Sequence, residues 1–235
     1  MEDLILFTHI PKTSGTSLLK ELIEPNLSPN TIYYQGNIKK IVPALYKNYQ
    51  LVSGHFSYGM HLFSPRKVKY ITFLREPVER AISFYYFVQQ GGDDPATRHP
   101  LCDYAESVTL QEFYQNKEFH NHQTRMTAGW IDHKFYKYLD SPKNQQRVLT
   151  KAIKNLKNKY YYFGLLEERE KSIALCKKKF DWHNYQTVNP QKKTHKRARI
   201  DDVDSKTLKT IKAANALDLE FYNFALKRFN SLVSA

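Results

Sequence analysis

The chain has few of the residues that mark disulfide-rich or metal-binding proteins. It contains two cysteines, Cys102 and Cys176, in 235 residues, and they do not follow the ligand spacing of a zinc site. Free thiols in a reducing compartment are the simpler expectation, and a single disulfide is the alternative. The first apolar strand begins near the start of the chain and leaves no room for a signal peptide or a membrane anchor. We therefore expect a bacterial cytoplasmic protein without a transmembrane segment.

Acidic residues are scarce relative to basic ones. The chain has 36 Lys and Arg against 23 Asp and Glu, a net charge of +13. Residues 147–199 contain fifteen Lys and Arg and four Asp and Glu. This excess is typical of a solvated helix surface or of an electropositive rim that attracts a polyanion. No recognition-helix, zinc-finger or RNA-module signature accompanies the charge, so we expect no specific nucleic-acid partner.

The chain also lacks a Pro/Gly/Ser-rich linker, an internal repeat and a low-complexity tract. We therefore expect one domain over residues 1–235. Predicted strands alternate with predicted helices, which indicates an α/β fold with a mainly parallel sheet flanked by helices. Ligands of such sheets bind at the carboxyl ends of the strands. The sequence leaves the oligomeric state open.

A loop rich in hydroxyl side chains follows the first strand. An apolar strand beginning at Leu4 enters a loop with one lysine, four hydroxyl residues and one glycine, and an amphipathic helix follows. Such a unit directs the unpaired N–H groups and the dipole of the helix at one position, where an anion is favoured. A simple Ser/Thr helix cap is the alternative. The candidate phosphate-binding residues are Lys12, Thr13, Ser14, Gly15, Thr16 and Ser17.

This loop differs from the usual nucleotide-binding loop. That motif, G-x-x-x-x-G-K-[ST], places its lysine after the glycines, whereas Lys12 precedes Gly15 and has no glycine before it. A nucleotide-dependent kinase on a related fold, which would require ATP and magnesium, therefore lacks the expected loop order.

A second candidate phosphate site follows the predicted strand of residues 69–74. Arg75 stands at the carboxyl end of this strand, and Ser83 lies eight residues later on the following predicted helix. An arginine and a helical serine can hold a phosphate, the arginine in a bidentate manner. An ion pair of Arg75 with Glu76 or Glu79 is the alternative.

Together the two motifs resemble the cofactor loops of the sulfotransferases. Residues 11–17, PKTSGTS, are similar to the loop that holds the 5′-phosphosulfate of 3′-phosphoadenosine 5′-phosphosulfate (PAPS). Residues 73–83, FLREPVERAIS, are similar to the loop that holds its 3′-phosphate. The resemblance is greatest to the heparan sulfate 2-O- and 6-O-sulfotransferases. Residues 75–94 resemble the 2-O enzymes, residues 121–126 the 6-O enzymes, and residues 162–168 also fit the family.

The resemblance implies a sulfotransferase fold, which is related to that of P-loop nucleotide transferases. It implies PAPS as the donor, adenosine 3′,5′-bisphosphate (PAP) as the product, carbohydrate sulfation on a saccharide or acidic glycan, and no metal. Eukaryotic relatives are Golgi-anchored, so a trimmed lumenal domain is the alternative to a cytoplasmic enzyme. Family members close a basic loop over the cofactor where this chain has residues 192–197, which adds Lys193 and Thr194 as cofactor contacts.

Sulfuryl transfer needs a base for the acceptor hydroxyl and a cation at the leaving phosphate. Histidine, with a pKa near neutrality, is the expected base. His55 follows Gly54 at the end of a short apolar strand, and this pair resembles the segment of the catalytic histidine in the 2-O enzymes. His61, in a segment similar to the 6-O enzymes, is the alternative base or a substrate contact. Lys12 is the expected electrostatic catalyst.

Other basic side chains have more than one possible role. We expect Arg80 and Arg125 either to contact the substrate or to form structural pairs. His9 is expected to be packed, and lining the cofactor pocket is its alternative. His120 and His122 would point in different directions on a helix and could not share a metal ion.

The sequence therefore predicts a PAPS-dependent O-sulfotransferase. In this prediction His55 deprotonates the acceptor hydroxyl, Lys12 stabilises the leaving phosphate, and Arg75 with Ser83 holds the 3′-phosphate. The alternative from a different class is a basic polyanion- or nucleic-acid-binding module, which would be retained on DNA or heparin in a salt-sensitive way without transferring sulfate. The acceptor and the sulfated position are not specified by these motifs.

Overall fold

The computed structural model describes residues 3–34, 38–92, 98–129, 139–188 and 197–234. Their strands form a five-stranded sheet in the order β2-β3-β1-β4-β5, and all neighbouring strands are parallel. The predicted α/β class with a mainly parallel sheet is confirmed. The strands are β1 Leu4–Thr8, β2 Ile32–Tyr34, β3 Leu51–Gly54, β4 Val68–Leu74 and β5 Tyr160–Leu165.

Helices connect the strands and continue after the last one. A π-helical turn, Leu19–Ile23, extends the first helix. The α-helices are α1 Gly15–Leu18, α2 Ile38–Ala44, α3 Pro77–Gln89, α4 Cys102–Ser107, α5 Leu110–Phe113, α6 His122–Ala128, α7 Pro142–Asn158, α8 Arg169–Phe180, α9 Ser205–Ala214 and α10 Ala216–Val233.

The sheet is covered by helices on both faces. Leu6, Val52 and Tyr70 lie on one face and pack with α7 and α10, while Phe7 and Phe73 lie on the other face and pack with α1 and α8. Because side chains alternate across a strand and both faces are buried, the central strands consist mostly of apolar residues. This explains why they were recognisable in the sequence.

The strand register brings three connecting loops to one edge of the sheet. Thr8 at the end of β1 is paired with Gly54 at the end of β3 and with Thr72 near the end of β4. The loops that follow these strands carry the first phosphate motif, His55 and Arg75. The expected meeting of these motifs at the carboxyl edge therefore follows from parallel pairing.

The cysteines are free, as expected, and the structure places both in the interior. In the part of the chain that the structure describes, no helix combines the length and the apolar character needed to cross a membrane. The same residues contain no group of three or more His, Cys, Asp or Glu side chains arranged to hold a metal ion.

Candidate active site

The loop after β1 has a tightly turned backbone. Lys12 and Ser14 have positive φ angles of 67° and 66°, and Thr13 lies between them. The buried Thr13 hydroxyl donates a hydrogen bond to the Ile10 carbonyl at 2.9 Å. Successive residues in such alternating conformations point their N–H groups into a concavity that favours an anion. The Thr13 side chain is thus engaged in shaping the loop, and its main chain remains as the candidate ligand contact.

Gly15 begins α1 at a position where a side chain has no room. A Cβ atom on this residue would lie 2.3 Å from Cδ2 and 2.5 Å from Nε2 of His9. Ser14, immediately before it, does not cap the helix with its side chain. The helix-cap alternative is therefore not adopted by Ser14. Two further hydroxyl residues of the motif, Thr16 and Ser17, are part-exposed in the first turn.

Lys12 and Arg75 lie next to each other, although they are 63 residues apart in the sequence. The Arg75 guanidinium donates from Nη1 to the Lys12 carbonyl at 3.3 Å. The Lys12 ammonium lies 4.2 Å from the ring centroid of Phe87 on α3, which is a cation–π distance. The structure therefore brings the two predicted phosphate motifs into direct contact.

Arg75 also forms the ion pair that the sequence left open as an alternative. Its Nη2 lies 2.9 Å from Oε2 of Glu79, and Nη2 of Arg197 lies 2.9 Å from the same oxygen. The Arg75 side chain is 13% exposed. Burial, followed by the nearby charge of Arg197, lowers the pKa of Arg75, and Glu79 partly opposes this shift. Two arginines thus share one carboxylate beside the Lys12 loop.

Two neighbours complete the surroundings of Arg75. Gln123 on α6 accepts from the Arg75 N–H at 3.0 Å and donates to the Arg75 carbonyl at 2.8 Å, which holds this backbone in place. Ser83 is buried on α3, one helical turn after Glu79. Residues four apart lie on the same side of a helix, so Ser83 is on the side of α3 that Glu79 presents to Arg75.

His55 stands exposed at the end of β3, with its ring held by the backbone of His9, the residue that directly follows β1. Its Nδ1 lies 2.7 Å from the His9 carbonyl oxygen. A carbonyl only accepts, so Nδ1 carries the proton, and the neutral ring has its lone pair on Nε2. This is the protonation state that a general base at Nε2 requires.

His61 occupies different surroundings. Its backbone N–H donates to the Tyr70 hydroxyl at 2.8 Å, its Nδ1 lies 3.1 Å from the same oxygen, and its ring packs on Tyr58. Burial, and then the charge of Lys159, lowers the pKa of His61. Tyr70 is paired with Tyr160, the first residue of β5, so these contacts lie away from the carboxyl edge that carries His55.

Arg80 and Arg125 are both buried. Arg80 is 1% exposed on α3, and Arg125 is 3% exposed and donates to the carbonyls of Glu118 and His120 at 2.7 and 3.1 Å. This burial favours the structural role over the substrate contact that the sequence also allowed. The two remaining cofactor candidates, Lys193 and Thr194, lie outside the described residues.

Sequence reasoning missed several contributors to this site. Arg197 was noticed only as part of a basic run, and Gln123 only as part of a stretch that resembles a family segment. Tyr34, whose hydroxyl lies 2.8 Å from Nδ1 of His9, carried no signal in the sequence. Each acts through a contact with a distant segment, which local patterns do not reveal.

Comparison with known proteins gives consistent matches over most of the chain. The family model described as "Sulfotransferase family" matches residues 1–225. Heparan-sulfate 6-O-sulfotransferase 1 of Cricetulus griseus is 27% identical over 281 residues, covering 97% of this chain and 67% of the relative. The Homo sapiens protein of that name is 27% identical, with 97% and 66% covered. Heparan-sulfate 6-O-sulfotransferase 2 of Gallus gallus is 27% identical, with 97% and 67% covered.

The chain therefore spans about two thirds of the length of these curated relatives. Among solved structures, a mouse sulfotransferase complexed with PAP matches with a TM-score of 0.43 and 17% identity, covering 92% of this chain and 65% of that one.

Proposed function

This chain belongs to the sulfotransferase family and is an enzyme of that family, and we propose that it transfers the sulfuryl group of PAPS to a hydroxyl of a saccharide. The observation that carries the proposal is the meeting of three elements at one edge of the sheet. These are the turned loop of Lys12, the arginine of the second motif and a histidine whose Nδ1 is held by a backbone carbonyl.

The residues present fit a donor with two phosphate-bearing ends. The loop after β1 offers main-chain N–H groups, the Lys12 ammonium and the hydroxyls of Ser14, Thr16 and Ser17. Arg75, which follows β4, offers a guanidinium for the 3′-phosphate, and Ser83 on α3 offers a hydroxyl. Nη1 of Arg197 is buried without a hydrogen-bond acceptor among the described residues, so a further donor is available there. We assign the groups of the loop after β1 to the 5′-phosphosulfate.

We assign the proton transfer to His55. PAPS supplies the sulfuryl group when bound, and its bisphosphate part is the leaving group. Nε2 of His55 accepts the proton of the acceptor hydroxyl as the oxygen attacks, and the positive charge that results is stabilised through Nδ1–H by the His9 carbonyl. Lys12 and the loop N–H groups stabilise the negative charge on the departing oxygen. Amine, guanidinium and N–H groups supply this positive field, and we propose no metal.

The acceptor we propose is an acidic glycan, and α7 supports this choice. Its exposed side carries five basic residues, while the helix contains no Asp or Glu. The opposite side packs into the core through Val148, Ala152 and Leu156. Lys151 lies near Gly129 and the Tyr58 carbonyl, three residues after His55. Lys151 of the cationic face therefore lies near the part of the chain that follows the proposed base. Its residues are Lys143, Arg147, Lys151, Lys154 and Lys157.

A calorimetric titration with PAP tests the donor site. We expect saturable binding in the absence of divalent metal, and no binding at millimolar PAP would refute the proposal. A mass-spectrometric screen with labelled PAPS then identifies the acceptor among neutral and acidic saccharides. ATP hydrolysis or transfer that requires magnesium would instead support the kinase alternative.

Charge removal on α7 tests the acceptor. In the variant Lys143→Gln/Lys154→Gln/Lys157→Gln we expect KM for a polymeric acidic glycan to rise about five- to tenfold, with kcat and PAP affinity unchanged. The matched control Lys206→Gln/Lys209→Gln/Lys212→Gln removes the same charge from exposed positions of α9. Equal effects of the two variants would show that only net charge matters. Retention on DNA with no sulfate transfer to any saccharide would favour the nucleic-acid-binding alternative.

We also propose that residues 1–235 form one domain, because a single sheet is covered by helices from both ends of the described chain. A single unfolding transition would test this.

The matches do not support the cytoplasmic location expected from the sequence. Their animal heparan-sulfate enzymes agree better with the alternative, a trimmed lumenal domain.

A further inference from the structure

His9 connects the carboxyl ends of three strands. Its N–H donates to the carbonyl of Gly54, the last residue of β3, at 2.9 Å. Its own carbonyl accepts from Nδ1 of His55 at 2.7 Å. Its ring reaches the last residue of β2, because Nδ1 lies 2.8 Å from the Tyr34 hydroxyl. A movement of His9 would therefore move the acceptor that holds the proposed base.

The His9 ring is also packed against the phosphate loop. It is 6% exposed and stacks on Phe7 with 5.4 Å between ring centroids. On its other side it occupies the space that a side chain at position 15 would need. The ring thus lies between the loop that carries Lys12 and the strand end that carries His55, and it sets the spacing between them.

The charge state of His9 matters to His55. Their ring centroids are 4.9 Å apart, so a positive charge on His9 would oppose protonation of His55. The Tyr34 hydroxyl at Nδ1 of His9 brings no formal charge of its own to this pair of rings.

We propose that Tyr34 and His9 are positioning residues for the transfer reaction: Tyr34 orients the His9 ring, and His9 in turn holds His55 with its Nε2 lone pair toward the acceptor. This proposal rests on the proposed function, since it assigns the base to His55. It adds two residues that neither the motifs nor the family match assign. Neither residue touches the reacting atoms in this proposal, because both act through His55.

The test compares Tyr34→Phe with the matched control Tyr33→Phe. Tyr33 is the neighbouring strand residue, and its hydroxyl donates to the Lys40 carbonyl at 3.2 Å, away from His9. Both changes remove one oxygen and keep the ring, so folding is preserved. Histidine titration by ¹⁵N NMR, without donor or acceptor, reports the tautomer and the pKa of His55. Steady-state kinetics and PAP titration report function.

In Tyr34→Phe we expect the hydrogen bond from His55 to the His9 carbonyl to weaken. That bond stabilises the imidazolium, so the pKa of His55 should fall by about 0.5 to 1 pH unit. We expect kcat to fall about tenfold and PAP affinity to stay unchanged. The acid limb of the pH profile of kcat should move to lower pH. His9→Asn, whose amide can still pair with Tyr34, should retain more kcat than His9→Phe.

Identical His55 titrations in the two tyrosine variants would overturn the proposal. A parallel loss of kcat, PAP affinity and thermal stability in Tyr34→Phe would overturn it as well, because it would indicate a merely structural hydroxyl. Failure of the proposed function has a different signature. If no acceptor is sulfated, or if His55→Ala keeps full turnover, the NMR titration still decides whether Tyr34 and His9 hold the His55 ring.

Discussion

The two halves of the candidate site are built from different interactions. Around the loop after β1, the contacts of His9, His55 and Tyr34 are neutral hydrogen bonds and close ring packing. Around the loop after β4, Arg75 and Arg197 converge on one carboxylate of Glu79. The first half is organised by shape and the second by charge.

This difference suits two different tasks. A proton is transferred over a short distance, so the base needs a fixed tautomer and orientation, which neutral hydrogen bonds to the backbone provide. A phosphate is recognised by its charge, and arginines that are already paired with a carboxylate can exchange that partner for the incoming anion. We therefore expect substitutions of His9, His55 and Tyr34 to alter kcat, and substitutions of Arg75, Arg197 and Glu79 to alter donor affinity.

The largest effect is expected from His55→Ala. Loss of the general base should lower kcat by about 10² to 10⁴-fold, while PAP affinity changes little, because His55 makes no part of the charged half. Steady-state kinetics and PAP calorimetry measure both quantities. His61→Gln is the comparison, and we expect it to retain most of its turnover, since His61 contacts Tyr58 and Tyr70. The reverse pattern would transfer the role of the base to His61.

The next effect concerns the charged half. Arg75→Ala should weaken PAP binding about 10- to 100-fold, the value of one or two charged hydrogen bonds. At saturating donor, kcat should change much less. Glu79→Gln removes the competing charge at similar volume, so PAP affinity should rise by about two- to fivefold. Weaker PAP binding in Glu79→Gln would mean that Glu79 serves to orient the arginines and not to balance their charge.

A third substitution tests whether the two halves can be separated. Gly15→Ala places a Cβ atom against the His9 ring, so both donor affinity and kcat should fall, and Tm should fall by several degrees. In Gly15→Ala/His9→Ala the steric conflict is removed. We then expect PAP affinity to recover substantially while kcat stays low, because the ring that positions His55 is absent. No recovery of affinity in the double variant would contradict the packing argument.

The smallest effect lies outside the site and separates stability from catalysis. Burial is the main cause that lowers the pKa of His120, whose Nε2 donates to the Tyr114 carbonyl. A depressed histidine pKa in the folded state contributes stability above the unfolded value near 6.5. That contribution is lost as the pH falls through the folded pKa. Urea unfolding of His120→Gln should therefore show a weaker decline in stability below about pH 6.5. A decline of the same steepness in His120→Gln and in the unmodified protein would contradict this prediction.

Much of the fold and half of the site could be predicted from the sequence. The strands at residues 4–8, 51–54 and 68–74 contain short apolar runs, since both faces of the sheet are buried. The Lys12 loop and Arg75 follow strand ends directly, and parallel strands end at one edge. Local pattern and this topological rule were enough to place them together.

The partners of these residues could not be predicted in the same way. Glu79 and Arg197 are 118 residues apart, and the pairing of His9 with Tyr34 spans 25 residues. Arg80 has the sequence environment of a surface arginine and is nevertheless buried. The His9 ring determines why residue 15 is glycine, a reason that the loop motif alone did not reveal.

The sequence by itself determined the class of fold and the loop that favours a phosphate, and its family resemblance reduced the candidate bases to His55 and His61. The fold class and the loop depend on short-range periodicity and on backbone geometry, both of which are encoded in neighbouring residues. Only the tertiary structure decided which side chains act together: the His9 and Tyr34 pair beside His55, and the carboxylate that Arg75 shares with Arg197. Strand register and helix packing set those distances, and no local stretch of the chain contains that information.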